Sequence, residues 1–134
     1  MKNAILNISS IILTTIVYFL GGWDIAIQSL LILMIIDYIT GVMQAFYNKK
    51  VNSRIGILGF LKKFSYLIIV GVSVILDRIL GNTGALRTIV IYFFVANDGI
   101  SILENLGKMN VPLPKKLIES LEQLRKESEN KWMV

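Results

Sequence analysis

Residues 25–46 read IAIQSLLILMIIDYITGVMQAF, an apolar run interrupted by one carboxylate, Asp37. The run is long enough to cross a bilayer, because a spanning helix needs about 20 mainly apolar residues. An Asp or Arg at the bilayer centre costs about 2.5–3.5 kcal/mol, so such residues are usually paired, face water or serve a function. Asp77, Arg87 and Asp98 interrupt or border the later apolar runs in the same way. The sequence therefore predicts a membrane protein that uses its intramembrane charges.

The composition of the whole chain agrees with this prediction. Its 134 residues are 54% hydrophobic, which is too apolar for a soluble domain with so small an interior. Apolar segments of spanning length lie near residues 4–20, 25–46, 64–80 and 86–103. These segments lack the alternation typical of strands and are predicted to be helical. We expect an all-α integral membrane protein with about four transmembrane helices in antiparallel hairpins.

The chain contains no cysteine and no histidine. A disulfide, a thiolate or imidazole metal site, and catalysis by Cys or His are therefore excluded. Glycine-rich phosphate-binding loops are also missing from the sequence. We expect a protein that is not an enzyme and has no catalytic, metal-binding or cofactor-binding residues.

The distribution of positive charge predicts how the helices are oriented. Residues 48–63 form a predicted loop without acidic residues, and cytoplasmic loops of membrane proteins are rich in lysine and arginine. With four spans, both termini then lie in the cytoplasm, and the glycine-containing connectors at 21–24 and 81–85 lie outside. The basic residues that set this topology are Lys49, Lys50, Arg54, Lys62 and Lys63.

Two prolines, Pro112 and Pro114, follow the fourth apolar segment and prevent it from continuing as a helix. They separate a transmembrane domain, residues 1–106, from a cytoplasmic tail, residues 107–134. The leucines of the tail recur at spacings of four, four and three, which predicts a short amphipathic helix. This helix has three available partners: a neighbouring subunit, the inner leaflet through its lysines, or its own bundle. The leucines of the stripe are Leu113, Leu117, Leu121 and Leu124.

Each predicted transmembrane helix carries polar residues at helical spacing, which places them on one face. Such faces hold helices together within one bundle, at about 0.6 kcal/mol per contact, or they meet water. Because Arg78 and Arg87 are the cations assigned to membrane depth, we expect at least one aspartate to meet water or another subunit. The candidate residues for a subunit interface or pore lining are Asp37, Thr40, Gly41, Gln44, Asp77, Arg87, Asn97, Asp98, Ser101, Glu104 and Asn105.

Several of these residues belong to motifs that resemble one family. The motifs are DYITG (37–41), the segment 53–59 followed by Lys62-Lys63, LR (86–87), NDGISILEN (97–105) and VPLPKKL (111–117). With them the chain resembles the toxin-secretion and phage-lysis holin family over nearly its whole length after about residue 30. It departs from the family pattern at Asp98, where Glu is usual, and at Asn110, where Gly is usual.

The resemblance implies a function without catalytic residues. Members of this family accumulate in the bacterial cytoplasmic membrane, assemble into homo-oligomers and open lesions that release an endolysin or a large toxin. The membrane lipid, further copies of the chain and such a cargo protein are therefore the expected partners, and no nucleic acid is expected.

Two other classes of membrane protein remain as alternatives. One is a small proton-coupled multidrug-type transporter or narrow ion channel, which would use a membrane carboxylate. The essential acid of such transporters lies in the first helix, whereas the first helix of this chain has no acidic residue. Such transporters also pair in antiparallel orientation, whereas the basic loop fixes a single orientation here. The other alternative is a structural membrane subunit of a larger complex.

Overall fold

The computed structural model describes residues 1–132, which form five α-helices. They are α1 (Lys2–Phe19), α2 (Ile25–Tyr47), α3 (Ser53–Ile79), α4 (Ala85–Gly107) and α5 (Lys115–Trp132). The first four are long and apolar enough to cross a membrane, and no strand occurs between residues 1 and 132. The prediction of an all-α membrane fold with four spans is confirmed. The end of the predicted tail, Met133 and Val134, lies outside the described residues.

Polar side chains and glycines set the ends of the helices. Asp24 caps α2 by accepting a hydrogen bond from the Ile27 amide at 3.1 Å. Asn52 caps α3 by accepting one from the Arg54 amide at 2.9 Å. The connectors α1–α2 and α3–α4 turn at glycines with φ of +87° at Gly21 and +119° at Gly81. Residues with a Cβ rarely adopt these angles, so the tight hairpins depend on glycine.

Helix α4 is the centre of the bundle, because α2, α3 and α5 all pack against it. The core between these helices contains the fully buried Ile27, Leu30, Val70 and Ile91. Tyr66 of α3 stacks on a phenylalanine of α4, with ring centroids 4.1 Å apart. Such stacking adds to the stabilisation gained from burying the rings. The bundle is therefore held by a small apolar core with α4 on its axis.

Helix α1 stands apart from this core. Among the described helices it packs against α3 alone, where the Phe19 ring lies over Gly71. Its isoleucines and leucines are exposed, for example Ile11 at 67% and Leu13 at 62%. A helix that is apolar and exposed in this way suits a lipid environment.

The third helix begins at Ser53, whereas the sequence predicted its span from residue 64. Residues 53–63 had been assigned to the basic loop, which in the structure shrinks to residues 48–52. The Asn52 cap and apolar residues such as Ile57 and Phe60 extend the helix backwards. Arg54, Lys62 and Lys63 therefore lie inside α3, and the prediction that they belong to a loop is wrong.

Helix α5 folds back along the C-terminal half of α4. Leu113, just before α5, approaches Gly107, and Leu121 packs against Gly99. Ile118 is half-buried beside them, whereas Leu124 at the far end of the stripe is 50% exposed. Of the three partners considered for the tail helix, the structure places it on its own bundle.

Candidate functional site: a charged cluster between the helices

Three charged side chains meet where α2, α3 and α4 come together. The ammonium group of Lys63 on α3 forms ion pairs with Asp37 on α2 and with Asp98 on α4. The Lys63 side chain is 16% exposed and the Asp98 side chain 0%. Each partner lies about nine or ten residues inside its helix, roughly 15 Å from the helix end. We call Asp37, Lys63 and Asp98 the charge cluster.

Asp37 is the most highly connected member of the charge cluster. Its Oδ1 accepts hydrogen bonds from Ser101 Oγ at 2.6 Å and from Asn105 Nδ2 at 3.1 Å. Asn105 also donates to Thr40 Oγ1 at 3.1 Å, and Thr40 donates to the Asp37 carbonyl at 3.1 Å. Hydrogen bonds to a charged acceptor are stronger than those between neutral groups. The polar faces of α2 and α4 are thus joined to each other.

Asp98 has fewer polar contacts. Its Oδ1 contacts Lys63, whereas its Oδ2 is buried without a hydrogen-bond partner among the described residues. Near it, the Lys63 ammonium lies 5.2 Å from the centroid of the Tyr66 ring, and Asn97 donates to the Tyr66 hydroxyl at 3.3 Å. An aromatic face beside an ammonium adds a further favourable electrostatic contact.

A second polar group lies at the opposite end of the bundle. Asp77, near the end of α3, accepts hydrogen bonds from the Leu86 amide at 3.0 Å and the Arg87 amide at 2.9 Å. Gly84, the residue before α4, provides no side-chain cap. Asp77 therefore satisfies the free amides at the start of α4.

Arg87 joins this end of the bundle to the α1–α2 turn. Its Nε donates to the Leu20 carbonyl at 2.7 Å, and its two terminal nitrogens donate to the Asp24 carboxylate at 2.7 and 3.0 Å. The hydrogen bond from Arg87 holds the pKa of Asp24 below its ordinary value of 3.8. A bidentate guanidinium–carboxylate pair is geometrically specific as well as strong.

The candidate residues from the sequence fall into three groups. The charge cluster and its contacts contain Asp37, Thr40, Asp98, Ser101 and Asn105. Gly41 lies beside this group, since a Cβ built on it would be 3.7 Å from Asn105 Nδ2. Asn97 lies next to the charge cluster, at Tyr66. The remaining candidates lie elsewhere: Gln44 accepts from Asn48 at 3.2 Å, Glu104 is exposed, and Asp77 and Arg87 lie at the opposite end.

The assumption that Arg78 and Arg87 are the cations at membrane depth is wrong, because Lys63 also lies there. That at least one aspartate meets water or another subunit stays a prediction. Asp37 and Asp98 share Lys63, and Asp77 caps α4. The error has one cause: Lys63 was assigned to the loop and therefore was not counted among the cations at membrane depth. The sequence does contain a signal that Lys63 belongs to the buried face of a helix. Spacings of three and four connect it to the buried residues of α3, in the order Lys63, Tyr66, Val70, Ser73 and Asp77. Asp24, which pairs with Arg87, is not among the residues predicted from the sequence.

This arrangement connects three helices through one cation. Two carboxylates face a single ammonium, so losing the ammonium would leave two like charges close together in an apolar bundle. Among residues 1–132, no group of three or more His, Cys, Asp or Glu side chains is placed to hold a metal ion. The cluster is thus suited to fixing α3 against α2 and α4.

Comparisons with known proteins point to one family. A model described as the bacteriophage holin family matches residues 14–126. An uncharacterised 14.9 kDa protein from the nagH 3′ region of Clostridium perfringens is 43% identical over 112 residues, covering 83% of this chain and 85% of that protein. A probable holin of Bacillus phage phi105 is 33% identical over 102 residues, 76% of each protein. No solved structure matches the chain.

Proposed function

Since the chain belongs to the bacteriophage holin family, we propose that it oligomerises in a bacterial cytoplasmic membrane and opens lesions large enough to release a protein. Family membership implies membrane association and oligomerisation in general terms, and it suggests a protein that is not an enzyme. The size of the lesion and the cargo, an endolysin or a large toxin, are parts of the proposal.

The observation that carries the proposal is the family match across α2, α3, α4 and most of α5. The structure adds a physical description of one subunit. Its polar groups are paired between helices, and its outer surface on α1, α2 and α3 is largely apolar. These three sides of the subunit are compatible with contact with lipid.

We further propose that the N-terminus and the start of the tail helix α5 lie in the cytoplasm. The support comes from Lys49 and Lys50 in the α2–α3 loop, with Arg54 and Lys62 exposed on the first turns of α3. Positive charge at this end of the bundle favours the cytoplasmic side. The tail helix α5 starts at the same end, because Leu113 lies next to Gly107.

Induced expression in a bacterium that contains a large cytoplasmic reporter enzyme tests this function. Viability, leakage of small ions and release of the reporter are followed together. We expect an abrupt loss of viability accompanied by release of the reporter. Ion leakage or drug resistance without release of the reporter would favour a narrow channel or a transporter, and no effect at all would favour a structural subunit.

A further inference from the structure

Hydrogen bonds between α2 and α4 fix which residues lie at the same level of the bundle. Ser101 donates to Asp37 at 2.6 Å, Asn105 donates to Thr40 at 3.1 Å, and Asn48 donates to the Lys108 carbonyl at 3.4 Å. Residues 37–48 of α2 therefore lie beside residues 101–108 of α4, and the two helices run in the same direction. This register allows the outer surfaces on the two sides of the bundle to be compared at equal depth.

The outer surface formed by α2 and α3 is apolar at this depth. On α2, Ile35 is 59% exposed and Ile39 is 51% exposed, and on α3 Phe60 is 60% exposed. These side chains lie close to Asp37 and Lys63 along their helices, and together with Lys63 they line a groove between α2 and α3 that is almost entirely apolar. Exposed branched and aromatic side chains of this kind suit contact with hydrocarbon.

The surface formed by α5 is charged at the same depth. Leu121 packs against Gly99, where a Cβ built on the glycine would lie 3.1 Å from Leu121 Cδ2. Gly99 is eight residues from the end of α4, about 12 Å along the helix, and it follows Asp98 of the charge cluster. Among the described helices α5 packs against α4 alone. Its exposed polar residues include Glu119, Glu122, Gln123 and Lys126.

The two surfaces require different surroundings. If hydrocarbon surrounds Ile39 and Phe60, then Glu122 and Lys126 also lie at the depth of the hydrocarbon layer. Each charge that faces lipid at this depth would cost a few kcal/mol. That cost disappears when the α5 side of the molecule faces water. We propose that the outer face of α5 lines the aqueous opening between several copies of this chain, while the α2–α3 surface faces lipid. This inference rests on the proposed function and adds to it the part of the subunit that meets the passing cargo.

The residues that line the opening in this proposal differ from the candidates predicted from the sequence. The polar faces of α2 and α4 are occupied by each other, through Asp37, Ser101 and Asn105. The charged face of α5 is already exposed and needs no rearrangement of the bundle to meet water. Gly99 favours this placement, because a Cβ there would lie 3.1 Å from Leu121 Cδ2 and the leucine side chain would have to shift.

Cysteine chemistry tests the assignment, because the chain contains no cysteine. The variants Glu122→Cys and Ile39→Cys place a thiol at similar depth on the two surfaces. In lipid vesicles a charged, membrane-impermeant thiol reagent should modify position 122 at least about tenfold faster than position 39, since thiolates form in water and not in apolar surroundings. Equal protection of both positions would overturn the proposal.

A second measurement establishes that α5 stays beside α4 in the membrane. Oxidation of Gly99→Cys/Leu121→Cys in the same vesicles should form a disulfide within one chain, with Gly59→Cys/Leu121→Cys as the control that should not. Fast modification at position 122 without the disulfide would mean that α5 has left α4 for the bulk solution, which also overturns the proposal. Both expected results without release of a trapped protein would contradict the proposed function and leave α5 as a water-facing surface.

Discussion

Lys63 is the residue on which the packing of the three central helices depends most. Lys63→Met removes the cation shared by Asp37 and Asp98 and leaves two carboxylates facing each other. Removing one partner of a buried ion pair costs about 3–5 kcal/mol, because the other charge stays buried without compensation. We expect a loss of that size in the free energy of unfolding, measured by denaturant titration of the protein in detergent micelles.

The adjacent lysine provides the matched control. Lys62 is exposed on the same helix, so Lys62→Met should change the free energy of unfolding by no more than about 0.5 kcal/mol. Equal effects of the two substitutions would contradict the assignment of Lys63 to the charge cluster.

The two aspartates of the charge cluster should differ in their tolerance to substitution. Asp37 accepts hydrogen bonds from Lys63, Ser101 and Asn105, whereas Asp98 contacts Lys63 through one oxygen. Asp98→Asn leaves Lys63 paired with Asp37 and replaces a buried carboxylate, one oxygen of which has no partner, with a neutral amide, so we expect a cost of about 1 kcal/mol or less. Asp37→Asn should cost about 3 kcal/mol. The same titration checks both values, and the reverse order would be incompatible with the observed contacts.

Individual residues also show where sequence reasoning reached its limit. The spacing of polar residues correctly identified Asp37, Thr40, Ser101 and Asn105 as one face on each of two helices, but it did not show that these faces meet. The position of Lys63 was missed because two adjacent lysines resemble a loop. On a helix, however, neighbours point about 100° apart, so Lys62 reaches the surface while Lys63 reaches the core.

At the scale of helices, the contact of α1 with α3 depends on one glycine. A Cβ at Gly71 would overlap the Phe19 ring, so Gly71→Val should separate α1 from α3. Gly59→Val is the control in the same helix, since nothing lies near that position. Cross-linking between cysteines introduced in α1 and α3 should fall severalfold in the Gly71 variant and stay unchanged in the Gly59 variant. Equal cross-linking in both variants would show that the contact does not hold α1.

The α1–α2 turn should respond to acid through Asp24. Arg87 lowers the pKa of Asp24 in the folded protein, so the ion pair contributes its full stability above pH 3.8, the ordinary value. The contribution is lost as pH falls through the lower folded pKa. Asn also caps helices, so Asp24→Asn should retain the turn but lose this dependence. The difference in stability between wild type and variant should therefore shrink at strongly acidic pH, and a constant difference would contradict the ion pair.

At the scale of the whole molecule, hydropathy was sufficient to predict four helices and their hairpins, because each long apolar run needs its own passage through lipid. The placement of α5 was not predictable from its sequence. An amphipathic stripe indicates that a helix has an apolar face, but it does not indicate which surface covers that face. The fit of Leu121 against Gly99 decides this, and it depends on atoms from distant parts of the chain.

The charge distribution over the described side chains follows from these placements. Lipid-compatible residues cover the α2–α3 side, and charged residues cover the α5 side. An oligomer that turns all of its α5 sides inward would enclose water and keep its apolar sides in lipid. This arrangement is consistent with the proposed function, since it places the charged residues where a hydrophilic cargo would pass.

Release from lipid vesicles tests that function most directly. The purified chain is reconstituted into vesicles that contain a small dye together with a folded enzyme, and the escape of both is followed as the protein density rises. We predict that dye and enzyme escape together once a threshold density is reached. Escape of the dye while the enzyme remains inside at every density would contradict a protein-releasing lesion and indicate a narrow channel instead.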